Sequence, residues 1–217
     1  MLMISVIGIL GLCIGIIALR LFYLSSATKG ESIAKYYRPK SALLVLDIQN
    51  DTLGIPLYGN TEPLMANINK AIEYANDTNM EIIYTKQEFT GHPLDSLLTG
   101  GMYQANSEGA DLYDELSIQS DNIFSKLRTD AFSVELFENY LIKNEISTLY
   151  IVGADASACV YKTALGGINR GYRVIILEDS IFSVKRDKLN TMLNKYQSKG
   201  IEISNMKNFI QTQTINF

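Results

Sequence analysis

The sequence predicts an α/β fold, namely a doubly wound, mostly parallel β-sheet with helices on both faces, preceded by one transmembrane helix. From residue 41 onward, short apolar runs rich in β-formers alternate with stretches of helical periodicity. Alternation of this kind implies right-handed βαβ crossovers, which place helices on both faces of a parallel sheet. The first 24 residues are apolar almost throughout. We therefore divide the chain into a transmembrane anchor (1–24), a tether (25–40) and a folded domain (41–217).

The N-terminal segment has the length and composition of a membrane span. Between Met1 and Leu24 its polar exceptions are Ser5 and Arg20. About 20 apolar residues, at about 1.5 Å rise each, cross a hydrocarbon core of about 30 Å. Lysines and arginines follow the span but do not precede it, which by the positive-inside rule places the domain in the cytoplasm. We expect a single-pass membrane protein with a cytoplasmic domain.

A cleaved secretory signal is the alternative for this segment. Ser25, Ser26 and Ala27 have the small-residue spacing of a cleavage site. A signal peptide usually has a basic start and a shorter apolar run, however, and both features are missing. The sequence thus favours an uncleaved anchor and leaves secretion after signal cleavage as the second possibility.

The elements of the domain follow one another in a regular order. The first predicted strand is a continuous apolar run at 42–46 that ends at Asp47, as expected for a strand buried on both faces. Further strands are predicted at 82–84, 122–125, 148–152, 173–177 and 201–204. Helical periodicity predicts helices at 62–78, 134–143, 158–170 and 185–198. Glycine and proline within 89–119 indicate a long loop with a short helical turn.

Three polar features fall at the carboxyl ends of three predicted strands. They are Asp47, Lys126 and the small-residue turn 153–159 that ends in Cys159. Open α/β sheets bind ligands at this edge, near the point where the strand order reverses. We therefore expect these side chains to share one crevice.

Cys159 is predicted to begin the helix that follows the fourth strand. Free backbone N–H groups and the positive end of the helix dipole favour thiolate there, and thiolate is the nucleophilic form. A buried structural cysteine is an equally common explanation, because free cysteine is often buried. Placement alone leaves both roles open.

Asp47 and Lys126 have ordinary explanations as well. Asp47 suits a turn or a helix cap, and most lysines are solvated. Beside a thiol, however, a carboxylate accepts a proton during attack and an ammonium balances charge, as acyl transfer requires. The turn 153–159 suits an oxyanion hole formed by the backbone N–H groups of Asp155 and Cys159. Its small residues are also explained by close packing of helix and strand.

Composition excludes several other functions. The net charge is −4 and the 19 Lys and Arg residues form no basic block, which argues against nucleic acid as a partner. A single histidine rules out a polyhistidine metal site, and the glycine fingerprint of dinucleotide-binding proteins is missing. Two cysteines, of which Cys13 lies in the apolar segment, do not make a disulfide framework.

Three segments together resemble the isochorismatase-like cysteine hydrolases, a superfamily that includes nicotinamidases, N-carbamoylsarcosine amidohydrolases and ureidoacrylate amidohydrolases. Residues 42–51 (ALLVLDIQND) resemble its opening strand with the catalytic Asp. Residues 126–132 (KLRTDAF) resemble its Lys-x-Arg-x-x-Ala-Phe element, and residues 153–164 (GADASACVYKTA) resemble its nucleophile turn. The resemblance covers about 41–205 and implies a three-layer, Rossmann-like fold. It also implies that Asp47, Lys126 and Cys159 form a catalytic triad.

The resemblance further implies a reaction and a set of contacts. The reaction is hydrolysis of an amide-type C–N bond in a small amide or ureido compound, through a covalent thioester. A cis peptide bond is implied between Ala154 and Asp155. Gln49, Phe132 and Tyr103 are predicted to contact the substrate, without a cofactor. Since family members commonly assemble, we expect a homo-oligomer.

Departures from the family pattern narrow these expectations. Metal-bearing nicotinamidases supply an Asp and several histidines to a metal, whereas this chain has only His92, in the long loop. We therefore expect no metal. Members that act on isochorismate lack the cysteine, so Cys159 argues against that activity. The alternative to an enzyme is a non-catalytic, membrane-tethered binding or scaffold protein that keeps the hydrolase fold.

Overall fold

Six parallel strands form the central sheet of the computed structural model, which describes residues 2–54, 58–184 and 189–214. The strands lie in the order β3-β2-β1-β4-β5-β6, and each neighbouring pair is parallel. The order reverses between β1 and β4, which makes this the topological switch point of a doubly wound sheet. The predicted fold class of the domain is confirmed. The strands are β1 (Lys40–Leu46), β2 (Glu81–Gln87), β3 (Ile123–Lys126), β4 (Ile146–Gly153), β5 (Arg173–Ile181) and β6 (Glu202–Ser204).

Helices separate most of the strands and cover both faces of the sheet. A long N-terminal helix precedes the domain, and two short helices lie in connections between strands. The helices of the described residues are α1 (Leu2–Ser25), α2 (Asn50–Leu53), α3 (Glu62–Asp77), α4 (Pro93–Thr99), α5 (Glu135–Lys143), α6 (Cys159–Ile168), α7 (Leu189–Gln197) and α8 (Met206–Thr214).

Strand β1 is buried on both faces, which explains its continuous apolar run. Leu44 and Leu46 point into a core shared with α5 and α6. Leu43 and Val45, from alternate positions, point into a second core shared with α3 and α8. The first polar side chain after this run is Asp47, so burial of β1 fixes where the strand delivers its carboxylate.

The predicted helices and strands are found, and α4 corresponds to the short helical turn predicted within 89–119. Helices α2 and α8, of four and nine residues, were not predicted, and helices this short depend on tertiary contacts more than on periodicity. Helix α4 is capped at its start, where the His92 ring accepts a hydrogen bond from the Leu94 N–H. It ends at Gly100, whose φ is +64°. Of the predicted helix 185–198, residues 185–188 lie outside the described residues.

Helix α1 is long and apolar, and the domain buries little of it. The window Gly8–Ser25 has a mean hydropathy of 2.0, and 6% of the window is buried. Length and composition make α1 a candidate membrane span. A signal sequence near an N-terminus passes the same test.

The predicted tether 25–40 has no regular structure before β1, but its first part packs on the domain. Arg128 donates a hydrogen bond to the Ser26 carbonyl. Thr28 donates from both its N–H and its hydroxyl to the buried carboxylate of Asp130. The first part of the predicted tether is therefore held against the domain by its polar groups, and the division into anchor, tether and domain stays a prediction.

Arg170 joins this segment to the two helices behind it. The side chain is 3% exposed, and its guanidinium donates to both carboxylate oxygens of Glu138 at 2.6 and 3.1 Å. It also donates to the Thr28 hydroxyl at 3.0 Å and lies 4.7 Å from the centre of the Phe132 ring. One buried cation thus holds α5, the end of α6 and the segment after α1 together.

We expect Arg170→Ala to lower the free energy of unfolding by about 3 kcal/mol, because it leaves Glu138 without its partner in a partly buried site. The matched control is Arg173→Ala, which removes an equally bidentate pair with Glu202 from the exposed surface. That loss should be at most about 1 kcal/mol. Urea unfolding of the full chain in detergent micelles measures both. Equal losses in the two variants would contradict the structural role of Arg170.

Candidate active site

The structure brings Asp47, Lys126 and Cys159 together at the carboxyl edge of the sheet. Asp47 follows β1, Lys126 ends β3 and Cys159 begins α6. The Lys126 Nζ lies 2.7 Å from Asp47 Oδ2 and 3.4 Å from Cys159 Sγ. The negative charge of Asp47 acts on the thiol from nearby and raises its pKa. Lys126 therefore bridges the other two side chains through its contacts with each.

Asp47 is fixed at both its backbone and its side chain. Its φ of +54° is in the left-handed region, which non-glycine residues seldom adopt and Asp tolerates better than most. Its N–H donates to the Thr85 carbonyl at 3.0 Å, and the Thr85 hydroxyl donates to Oδ1 at 2.7 Å. The carboxylate is 3% exposed, and its other oxygen faces Lys126.

Lys126 is a buried ammonium with a full set of partners. Besides its two triad contacts, Nζ donates to Gln87 Oε1 at 2.8 Å and to the Arg128 carbonyl at 3.2 Å. Burial lowers the pKa of Lys126, but the neighbouring Asp47 and Cys159 outweigh burial and hold that pKa above its ordinary value. The side chain therefore stays positively charged.

The surroundings of Cys159 favour the neutral thiol, in contrast to the thiolate that its helix position favoured. Burial raises the pKa of the Cys159 thiol, and the charge of Asp47 raises it further, whereas Lys126 lowers it. The dipole of the ten-residue helix α6 thus acts on a half-buried sulfur near a carboxylate. In this arrangement Asp47 is the nearby acceptor for the thiol proton.

The turn between β4 and α6 requires its glycine. Gly153 has a φ of +124°, and a Cβ there would lie 2.2 Å from the Leu46 carbonyl oxygen. The Ala154 N–H donates to that same oxygen at 2.9 Å, so β1 and β4 approach closely where Asp47 begins. The peptide bond between Ala154 and Asp155 is cis, as the family resemblance implied.

The two predicted oxyanion donors lie in this turn. Within the described ranges, the backbone N–H of Asp155 and that of Cys159 have no recorded acceptor. The neighbouring N–H groups are paired, since Ala156 donates to the Phe182 carbonyl and Val160 to the Asp155 carbonyl. These two donors of the turn are thus left without a protein acceptor in the described residues, and their role as an oxyanion hole stays a prediction.

A cavity of about 230 Å³ opens onto Asp47 and Cys159. Cys159 and Asp47 supply its polar floor, and the remaining wall is largely apolar or aromatic. The wall comes from five parts of the chain, namely α1, the segment after β1, the end of β2 with the loop behind it, the segment after β3 and the turn after β4. The lining residues are Leu24, Asp47, Thr52, Tyr58, Gln87, Phe89, Thr99, Tyr103, Leu127, Thr129, Ala154, Asp155, Ala158 and Cys159.

Of the three predicted substrate contacts, only Tyr103 lies in the cavity wall. Its hydroxyl is 3.2 Å from the Thr52 hydroxyl, and burial raises the pKa of Tyr103 to about 12. Gln49 is fully buried, and its side-chain amide donates to the carbonyls of Gln87 and Ala110. The predicted substrate contact of Gln49 is thus replaced by a structural role.

Phe132 is likewise a core residue rather than a cavity residue. Its ring packs edge-on against Phe137, with ring centres 5.1 Å apart, and against Tyr172. The sequence motif that begins at Lys126 ends in a 3₁₀ turn, Ala131–Ser133, which contains Phe132. That turn directs the ring into the core between the sheet and α5.

The sequence reasoning missed four residues that build the site. Thr85 and Gln87 position Asp47 and Lys126, and both follow the apolar run of β2 at the same sheet edge. Their position at the carboxyl edge of the sheet is the signal in the sequence that could have identified Thr85 and Gln87. Tyr58 and Leu24 line the cavity, but the sequence gives no signal for either, because both arrive there through tertiary contacts.

His92 lies outside the cavity wall, at the start of α4. Across residues 2–54, 58–184 and 189–214, no group of three or more His, Cys, Asp and Glu side chains is placed to hold a metal ion. That a metal is not needed stays a prediction.

Comparisons with known proteins agree with this architecture. The secreted isochorismatase effector Isc1 of Verticillium dahliae is 26% identical over 144 residues, which cover 65% of this chain and 72% of the effector. A cysteine hydrolase from Pseudomonas syringae has a TM-score of 0.74 at 18% identity, covering 88% of this chain and 100% of that one. The N-carbamoylsarcosine amidase of Thermoplasma acidophilum has a TM-score of 0.66 at 21% identity, covering 77% of this chain and 96% of that one.

At these identities the structural likeness shows the fold. The family model named Isochorismatase domain matches residues 41–208, which is most of the chain and all six strands from near the start of β1. The match includes Asp47, Lys126 and Cys159. The resemblance identified from three motifs is therefore confirmed, and the chain belongs to the isochorismatase family.

Proposed function

We propose that this protein is a cysteine hydrolase that cleaves an amide-type C–N bond in a small molecule and is held at a membrane by α1. The observation that carries this proposal is that Lys126 contacts both Asp47 and Cys159, and that these two residues line one cavity. A nucleophile, a proton acceptor and a fixed cation in one water-poor site are the groups that acyl transfer needs.

The first half of the reaction forms a thioester. Asp47 takes the proton of the Cys159 thiol as the sulfur attacks the substrate carbonyl carbon. The N–H groups of Asp155 and Cys159 hold the oxyanion of the tetrahedral intermediate. Asp47 then gives the proton to the leaving nitrogen, the C–N bond breaks, and ammonia or an amine departs.

The second half restores the enzyme. Asp47 takes a proton from water, the resulting hydroxide attacks the thioester carbonyl, and the C–S bond breaks. The released sulfur recovers its proton from Asp47, and the carboxylic acid product leaves. Lys126 remains protonated throughout and stabilises both the carboxylate and the developing thiolate through its contacts with each.

The proposed class of substrate is supported by proteins that share the fold. Among them is an N-carbamoylsarcosine amidase, and a cysteine hydrolase is another. A small amide or ureido compound is therefore the substrate class that we propose. Assembly of this chain into a homo-oligomer stays a prediction.

Retention of α1 is supported by the contacts of its last two turns. Cleavage after Ala27 would remove Arg20, the partner of the buried carboxylate of Asp95. It would also remove the Leu24 carbonyl, which accepts from Thr129. The secreted relative of Verticillium dahliae makes secretion the competing placement. We favour a retained span because the domain uses its final residues.

We expect Cys159→Ala to lower kcat at least about 1,000-fold, because no other group can form the thioester. The assay is release of ammonia from a panel of small amides and ureido compounds by the full chain in detergent micelles. The control is Cys13→Ala, which removes the other cysteine of the chain and should keep full activity. Ammonia release that survives in the Cys159 variant would rule out the covalent route.

We expect Asp47→Asn to have opposite effects on turnover and on thiol reactivity. Loss of the base should nearly abolish amide hydrolysis. Loss of the negative charge should lower the pKa of the Cys159 thiol, which that charge helps to raise. Each unit by which the pKa falls gives about tenfold more thiolate near neutral pH, so alkylation should become faster.

The measurement uses iodoacetamide at pH 7.5 in the Cys13→Ala background, where Cys159 is the sole thiol. Asp121→Asn, at an exposed acid outside the cavity wall, should change neither turnover nor alkylation. Alkylation that is unchanged or slower in Asp47→Asn would contradict the assigned interaction between the carboxylate and the thiol.

We expect the full-length protein to stay in the membrane fraction after extraction with alkaline carbonate, because α1 is long enough to cross the bilayer. Intact-mass measurement should find Met1 or its processed neighbour at the N-terminus. Recovery of a soluble protein that begins at Thr28 would instead establish the cleaved signal.

A further inference from the structure

The C-terminal end of α1 forms part of the cavity wall. The proposed mechanism does not require this contribution from α1. Arg20 donates from Nε and from its terminal nitrogen to the two carboxylate oxygens of Asp95, at 2.8 and 2.5 Å. Asp95 lies in the first turn of α4 and is 1% exposed. The hydrogen bonds from Arg20 hold the pKa of that carboxyl below its ordinary value. The pair fixes α1 to the loop that supplies Phe89, Thr99 and Tyr103 to the cavity.

One turn later, α1 is held again and contributes a wall. The Leu24 carbonyl accepts from the N–H and the hydroxyl of Thr129, at 2.9 and 3.1 Å. The Arg128 guanidinium lies 4.6 Å from the centre of the Tyr23 ring. Leu24 itself is 8% exposed and lines the cavity, although most apolar side chains between Gly8 and Tyr23 are exposed.

The sequence of α1 sets the depth of Leu24 relative to a bilayer. The run from Leu2 to Leu19 has no charged residue and spans about 27 Å at 1.5 Å per residue, close to the thickness of a hydrocarbon core. Arg20 and Tyr23 follow, and arginine and tyrosine are residues that favour the headgroup region. Leu24 is only about 6 Å further along the helix than Arg20. The cavity wall therefore lies at headgroup depth when α1 spans the membrane.

We infer that the cavity takes amphiphilic amides from the bilayer surface, with the amide head at Cys159 and an apolar chain along Leu24 toward the lipid. This inference rests on the proposed hydrolase function and names its substrate class. The cavity volume of about 230 Å³ is below the 300–1,000 Å³ or so of sites that enclose drug-sized ligands. It fits a small head and the first part of a chain. The apolar wall of Leu24, Leu127 and Phe89 offers no polar partner to the remainder.

The test compares butanamide with decanamide as substrates of the full chain in phosphatidylcholine vesicles, by release of ammonia. We expect kcat/KM to be at least about tenfold higher for decanamide, since each buried methylene adds to binding in an apolar site. Leu24→Asn should lower kcat/KM for decanamide by a factor at least about tenfold greater than for butanamide. Leu24→Met, which keeps the wall apolar, should retain the preference for decanamide.

The control is Leu21→Asn, which places the same amide at an exposed position of the same helix outside the cavity wall. Partition of the substrates into the vesicles is the same for both variants. Equal loss in Leu21→Asn and Leu24→Asn, or equal turnover of the two substrates by the unmodified chain, would overturn the inference. Hydrolysis of butanamide but not of decanamide would overturn the inference and would still support the proposed hydrolase function.

A second measurement does not depend on turnover. In the Cys13→Ala background, the rate at which N-octyl iodoacetamide alkylates Cys159 is compared with the rate for iodoacetamide, again in vesicles. We expect the octyl reagent to react at least about fivefold faster, and Leu24→Asn but not Leu21→Asn to remove the difference. A preference for the octyl reagent without ammonia release from any amide would overturn the hydrolase function, and with it the substrate class. If the octyl reagent alkylates Cys159 no faster than iodoacetamide does, the proposal of an apolar path along Leu24 is wrong.

Discussion

The buried ammonium of Lys126 is the interaction on which the arrangement of the site depends. An ammonium removed from water is tolerated only with charged and hydrogen-bonding partners, since breaking a buried ion pair leaves an uncompensated charge. Here the partners come from three other elements, namely the ends of β1 and β2 and the start of α6. The register between β2 and β3 places Gln87 directly beside Lys126. Sheet pairing and charge compensation are therefore the same constraint, and moving either strand end would disrupt both.

Most of the fold could be predicted because β1 and its neighbours are buried on both faces. A strand in that position is apolar without interruption, so its length and its end can be read directly from the residues. The boundaries of α3, α5 and α6 follow from periodicity for a related reason, since one face of each packs on the sheet. Short helices such as α4 have no such signature, because a local cap and a glycine determine where they begin and end.

The site could be predicted in part. Asp47, Lys126 and Cys159 each stand where an element ends at the reactive edge, and that position is visible in the sequence. Thr85 and Gln87 stand at the same edge, but their importance depends on which strands are neighbours, and one sequence does not specify sheet order. Proximity to a motif was a poor guide for Gln49 and Phe132, since it does not indicate the direction of a side chain. The contact of Leu24 with the segment after β3 joins residues about 100 positions apart, which no local pattern encodes.

Gly153 has a consequence for how related sequences are interpreted. Any side chain at this position would collide with the Leu46 carbonyl and push the nucleophile turn away from β1. A homologue could thus keep its aspartate, lysine and cysteine and still hold them too far apart to react. Three reactive residues in a new sequence are an incomplete indicator of an active member. The hydrogen atom that stands in place of a side chain at this glycine is a fourth requirement, and it is easily overlooked because it takes no part in the chemistry.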